Sequence, residues 1–136
     1  NWGILMAGTA INNHIGTEIL LLYISAIFWT LGYDTIYGLQ DIKDDEIIGM
    51  KSTSIKFKKN PKFFVSVCYS INILILAFLF RNIELHYLFI FLSLIYISTL
   101  FYQIIIFNKK NPNSCLKAFK TNNLSGLTLF VIMMTI

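Results

Sequence analysis

Long charge-free stretches alternate with short charged ones along this chain. Apolar residues dominate 19–37, 63–80, 87–107 and 124–136, and a shorter apolar stretch covers 2–11. Asp34 is the one charge in the first of these, near its far end, and 87–107 carries none. A helix needs about 20 apolar residues to cross the hydrocarbon core of a bilayer. The two middle segments meet that length, allowing for tilt. The last is several residues short and suits a helix ending in the interface. Residues 2–11 read as the tail of a further helix. Strands in lipid would have to close into a barrel, so each segment is expected as a helix. The pattern predicts an all-α, multi-helix transmembrane bundle with about four full helices and a partial one.

Composition agrees. The chain has 136 residues, 56% of them hydrophobic and 13% charged, with a mean hydropathy of +0.66. A soluble domain of this size needs more polar surface to cover its core. Cys68 and Cys115 stand alone, with no CxxC and no nearby His pair, and read as packing residues. The sequence opens at Asn1, with neither Met nor a basic stretch ahead of an apolar core. That is the expectation for a piece of a longer chain, not for a start with a signal peptide.

Charge sets the orientation. The 39–62 segment holds Lys43, Lys51, Lys56, Lys58, Lys59 and Lys62, and 108–123 holds Lys109, Lys110, Lys117 and Lys120. Two apolar segments separate these stretches, so both are expected as loops on one face. The opposite turn holds only Arg81, and the stretch around His14 has no Lys or Arg. Ten of the 11 basic residues therefore lie on one side, which predicts that both lysine-rich loops face the cytoplasm. The formal net charge of +4 is then a topology signal first and a contact with anionic lipid second. No basic helix face interleaved with aromatics lies outside the apolar segments, so nucleic acid is not an expected partner. Arg81 and Glu84 read as interfacial charges. His14 and His86, near the face opposite the acidic residues, are assigned no chemistry.

The stretch that carries chemistry is 33–57, YDTIYGLQDIKDDEIIGMKSTSIKF. Asp34, Asp41, Asp44, Asp45 and Glu46 cluster at the cytoplasmic end of an apolar segment. Asp41 and Asp45 are four apart and share one face of a helix. Asp34, seven before Asp41, is expected on that face as well. Stacked like charges repel, and a divalent cation among them relieves the repulsion. Carboxylate oxygens are ligands that Mg²⁺ prefers, and Mg²⁺ completes its shell with water and substrate phosphates. A metal held so could bridge to a diphosphate leaving group. Lys51, with Ser52 and Thr53 beside it, suits the remaining phosphate charge. Gly38 and Gly49 allow tight turns on either side. A set of solvated loop charges remains the alternative. Asp34 weighs against it, since a carboxylate within an apolar span is a functional candidate.

The same stretch resembles the second Asp-rich motif of the UbiA prenyltransferase superfamily. The run Tyr-Asp-Thr-x-Tyr, Asp-x-x-x-Asp, Gly-x-Lys-Ser-Thr has the form associated with 4-hydroxybenzoate polyprenyltransferases. Trp2-Gly3 followed by Met6-Ala7 resembles the end of the family's preceding helix. The 115–127 stretch, with Lys117, Phe119, Asn122, Asn123 and Gly126, resembles the approach to its last helix. Gly38 stands where a small residue is expected, and Ser54 replaces an expected Ala.

The resemblance implies a bundle of nine transmembrane helices with two Asp-rich motifs facing each other over a central cavity. Residues 1–136 correspond to the carboxy-terminal half of that domain. The first motif, Asn-Asp-x-x-Asp-x-x-x-Asp, would lie upstream of Asn1 or in a separate amino-terminal half acting as partner. The implied reaction is Mg²⁺-dependent transfer of a polyprenyl group from its diphosphate to 4-hydroxybenzoate, a step of ubiquinone synthesis in the bacterial inner membrane. Asp41 and Asp45 map onto the metal-binding pair, and Asp34 onto the preceding motif Asp in a supporting role. Lys51 is expected to contact diphosphate. Tyr33 and Tyr37 are expected to line the cavity, where aromatic faces suit a developing cation, or to form an interfacial belt. Alternatives are another acceptor in the same superfamily (haem, a naphthoate, homogentisate or a lipid glycerol), an inactive truncated product, and a small channel using Asp34.

The orientation is testable by labelling. A Lys58→Cys variant in sealed spheroplasts should react with an impermeant maleimide only after the membrane is opened. Labelling from outside would overturn it.

Overall fold

The computed structural model describes residues 1–83 and 86–136, and all of their side chains except those of Asn12 and Lys43. Glu84, expected as an interfacial charge, lies outside the described residues. The chain forms α1 (Trp2–Asn12), α2 (Thr17–Gly38), α3 (Ile42–Ile48), α4 (Thr53–Lys56), α5 (Pro61–Leu79), α6 (Tyr87–Ile106) and α7 (Pro112–Met134), with a 3-10 turn at Phe80–Asn82. No strand forms among the described residues beyond an isolated bridge between Asn108 and Asn111. Three helices, Thr17–Gly38, Pro61–Asn82 and Tyr87–Ile106, are long and apolar enough to cross a membrane. Trp2–Ile11 is a shorter apolar helix.

Local chemistry explains the boundaries. Asn13 ends α1 in the left-handed region, at φ 56, which Asn tolerates better than most side chains. Pro61 and Pro112 open α5 and α7, where a missing N–H costs nothing. Gly49 closes α3 at φ 78. There Met50 N–H donates to Asp45 O and Gly49 N–H to Glu46 O, the paired closure that needs a residue without Cβ.

The fourth expected segment, 124–136, is the second half of a longer helix. α7 begins at Pro112, so most of the expected 108–123 loop is helical. Nothing in 113–125 breaks a helix, and Lys117 and Lys120 sit exposed on it. The expected 39–62 loop likewise contains α3 and α4.

α2 packs on α5 and, along another side, on α7; α6 packs on α7 and more lightly on α5. α1 lies against α2. Inside this ring a chain of polar side chains joins all four long helices. Asn72 Nδ2 of α5 donates to Ser25 Oγ of α2 at 2.9 Å, and Tyr96 OH of α6 donates to Asn72 Oδ1 at 2.8 Å. Tyr69 OH of α5 donates to Gln103 Oε1 of α6 at 2.6 Å. Gln103 Nε2 donates to Ser125 Oγ of α7 at 2.9 Å, and Ser125 Oγ donates to Thr99 Oγ1 at 2.8 Å. All of these residues are buried. Such bonds between membrane helices contribute only about 0.6 kcal/mol each on average. Their larger effect is registry, because a buried polar group left unpaired costs about 1–3 kcal/mol.

Small residues let the helices approach. A Cβ on Gly32 would lie 2.2 Å from Tyr69 Cε1, inside the ring of a side chain already committed to Gln103. Cys68 and Cys115 are free and buried, as expected of packing residues. Burial pushes the Cys115 thiol up.

Gly32→Ala should therefore destabilise the bundle by about 1–3 kcal/mol, as overpacking does. Tyr69→Phe keeps the ring but leaves Gln103 Oε1 buried without its donor, and should cost a similar amount. SDS-unfolding midpoints of the purified protein measure both. An unshifted Gly32→Ala midpoint would contradict the close α2–α5 contact.

Candidate functional site

The acidic stretch does not continue α2. That helix stops at Gly38, residues 39–41 form a turn, and α3 restarts at Ile42 with Asp41 as its N-cap. Asp34 and Asp41 are thus on separate helices, and the expected single helical face through both is corrected. The turn arises where apolar side chains give way to a charge-dense run that cannot remain in a packed helix. Leu39 anchors it, being only 2% exposed in the core. A Cβ on Gly38 would lie 2.3 Å from Ser54 Oγ. Ser54 Oγ in turn donates to Thr35 O at 3.1 Å, and the Thr35 and Thr53 hydroxyls share a bond of 2.8 Å. These contacts fold α4 back onto the end of α2.

Asp41 and Asp45 remain one turn apart. Asp45 N–H donates to Asp41 O at 3.0 Å, so the expected pair does sit on successive turns. Asp41 is exposed and Asp45 half-buried. Glu46, also of α3, forms an ion pair with Lys58, which ties α3 to the turn between α4 and α5. Lys51 is exposed after the Gly49 turn.

A cavity of about 440 Å³ opens beside the turn, lined by Leu39, Gln40, Asp41, Ile42, Asp44, Lys109, Lys110 and Pro112. Asp41 and Asp44 come from the acidic segment. The two lysines come from the α6–α7 connection, some seventy residues later in the chain. Lys51 and Asp45 do not line this cavity. Lys109 Nζ donates to Lys59 O at 3.2 Å, and Lys62 Nζ to Ile105 O at 3.3 Å. The two lysine-rich connections therefore meet at one end of the bundle, as their spacing implied. Lys109 and Lys110 are what sequence reasoning missed. The shared face of the two connections was the available signal, but not which lysine would reach the acidic turn.

The donors suit a hard cation only in part. Among the described residues no three His, Cys, Asp or Glu side chains are grouped to hold a metal. Asp41, Asp44 and Asp45 supply carboxylates, and Gln40 Oε1 is buried with no hydrogen-bond partner among the described residues. All are oxygen donors. Mg²⁺ needs only one or two carboxylates, with water and substrate phosphates completing its shell, and the residues fit that arrangement.

Above the turn, α2 presents Trp29, Tyr33 and Tyr37 at four-residue spacing toward α7. Tyr37 and Phe119 have ring centroids 4.7 Å apart, and Tyr33 and Phe119 6.0 Å. Trp29 packs edge-on against Tyr33 at 5.8 Å. Both tyrosines expected to line a cavity thus pack on Phe119 of the last helix. Asp34 is exposed beside this seam.

No solved structure matches this chain. It is 35% identical to a 4-hydroxybenzoate octaprenyltransferase of Xylella fastidiosa (strain M23), over 95% of this chain and 43% of that protein. It is 35% identical to one of Blochmanniella pennsylvanica (strain BPEN), over 96% and 46%. It is 32% identical to one of Pseudomonas aeruginosa (strain UCBPP-PA14), over 96% and 44%. The chain thus spans less than half the length of these relatives. The profile of the UbiA prenyltransferase family matches residues 1–127, and the chain belongs to that family.

Proposed function

We propose that this chain supplies the second acidic motif of a membrane-bound 4-hydroxybenzoate polyprenyltransferase serving ubiquinone synthesis. The observation that carries the reading is the Asp41–Asp45 turn. It stands at the end of a membrane-crossing helix, beside a polar cavity, in a chain similar to proteins of that name over nearly its whole length.

Asp41 and Asp45 would hold Mg²⁺, with Asp34 supporting. Bound there, the ion would supply charge neutralisation for a departing diphosphate. The rest falls to the chain's own residues. Lys51, on the turn after α3, contacts the diphosphate oxygens. Tyr33 and Tyr37 offer aromatic faces to positive charge at the first prenyl carbon. In the reaction the bond from that carbon to the diphosphate oxygen breaks. The ring carbon ortho to the phenol hydroxyl then bonds to it and loses its proton. The Ser52 side chain accepts from Ile55 N–H at 3.3 Å, capping α4 and fixing the backbone that follows Lys51. The apolar helices keep the prenyl tail in the bilayer, and the lysine-rich end faces the cytoplasm. A separately made amino-terminal half carrying the first motif would be a partner if the chain is not continuous with it.

In the complete enzyme, Asp41→Asn or Asp45→Asn should all but abolish prenyl transfer at fixed Mg²⁺, a loss of about 10²–10³-fold for a lost electrostatic contact to the transition state. Membrane insertion should be intact. Radiolabelled 4-hydroxybenzoate incorporation measures the transfer. Near wild-type turnover in either variant would sink the metal assignment.

A further inference from the structure

The cavity beside the acidic turn is lined by charges of both signs, Asp41 and Asp44 from the acidic segment and Lys109 and Lys110 from the α6–α7 connection. Opposite charges sharing a cleft ordinarily neutralise one another. Here they do not: among the described residues the one ion pair is Lys58 with Glu46. The connection that carries the lysines is also held in place. Lys109 Nζ is engaged by Lys59 O at 3.2 Å and Lys58 O at 3.5 Å. Lys110 N–H donates to Asn108 Oδ1 at 3.0 Å, and Asn108 N–H to Ser114 Oγ at 2.9 Å. Pro112 then starts α7. The Lys110 ammonium makes no hydrogen bond or ion pair among the described residues, and its backbone is fixed.

A space lined by unpaired carboxylates and an unpaired ammonium fits a ligand that carries both charges. A diphosphate with a divalent cation is such a ligand. We propose that Lys110 binds the diphosphate from the cavity side of Asp41, the carboxylate that this cavity shares with the Asp41–Asp45 pair, with Lys109 positioning the connection that carries it. The inference rests on the transferase reading and adds to it a binding residue from the α6–α7 connection. The division of labour is physical. Carboxylates of the acidic segment would hold the cation, and the Lys110 ammonium would take phosphate oxygens. Gln40 Oε1, buried and without a hydrogen-bond partner among the described residues, lines the same cavity. A lysine serving only orientation in the membrane, or contact with anionic lipid, has no need of a place in the cavity that Asp41 lines.

The test is equilibrium binding to the complete protein in detergent, with Mg²⁺ fixed. Inorganic pyrophosphate and geranyl diphosphate are used in separate titrations, the first for the free anion and the second for the prenylated one. Lys110→Gln should weaken both by about tenfold, the worth of one charge-assisted contact, and Lys110→Arg should restore most of the loss. A loss confined to geranyl diphosphate would overturn the headgroup assignment. If Lys110→Gln binds both ligands as wild type does while Asp41→Asn loses them, the lysine inference is wrong and the transferase reading stands. If Asp41→Asn also binds and transfers normally, the reading beneath it falls too.

Discussion

An unpaired polar group is costly in the interior of a bilayer, and this one constraint organises the structure. Helices satisfy the backbone within themselves. Ser and Thr hydroxyls can bond a carbonyl of the preceding turn, as Thr99 does to Tyr96 O, but the longer side chains of Asn72, Tyr96 and Gln103 find partners across helix boundaries, with Ser25, Thr99 and Ser125 among them. Lipid is as apolar as leucine, so burial of apolar surface does little to pull these helices together. Polar bonds and close approach at Gly32 decide which helix meets which, and at what height.

The proposed site sits where that constraint lapses. α2 leaves the ring at Gly38, and the chain can then expose a dense acidic run to water. The turn is not loose. Leu39 is buried, Ser54 and Thr53 bond back to Thr35, and Glu46 reaches Lys58. Each contact passes the position of the core outward to Asp41. The α6–α7 connection is brought to the same place because α6 and α7 belong to the same ring.

Much of this was legible in the sequence, for identifiable reasons. Apolar runs of membrane length announce the spanning helices, and the lysine bias places two connections at one end. The four-residue spacing of Asp41 and Asp45 gives their shared turn. What was not legible depends on contacts between distant residues. A seven-residue spacing put Asp34 on one helix with Asp41 only if the helix ran on, and the local break after Gly38 is settled by Leu39 and Ser54. The first half of α7 looked like loop because its lysines and asparagines are polar, yet polarity there marks an exposed helix face. Lys110 in the cavity that Asp41 lines needed the ring of helices to be known first.

The central claim is that the acidic turn and the α6–α7 connection line one cavity. The direct measurement is crosslinking in native membranes with a short thiol-reactive reagent, using a protein that carries Asp44→Cys and Lys110→Cys. The account predicts an intramolecular crosslink for this pair, and none when the second cysteine is placed at Arg81, at the other end of the bundle. Failure of the first pair to crosslink, with both cysteines reactive singly, would contradict it.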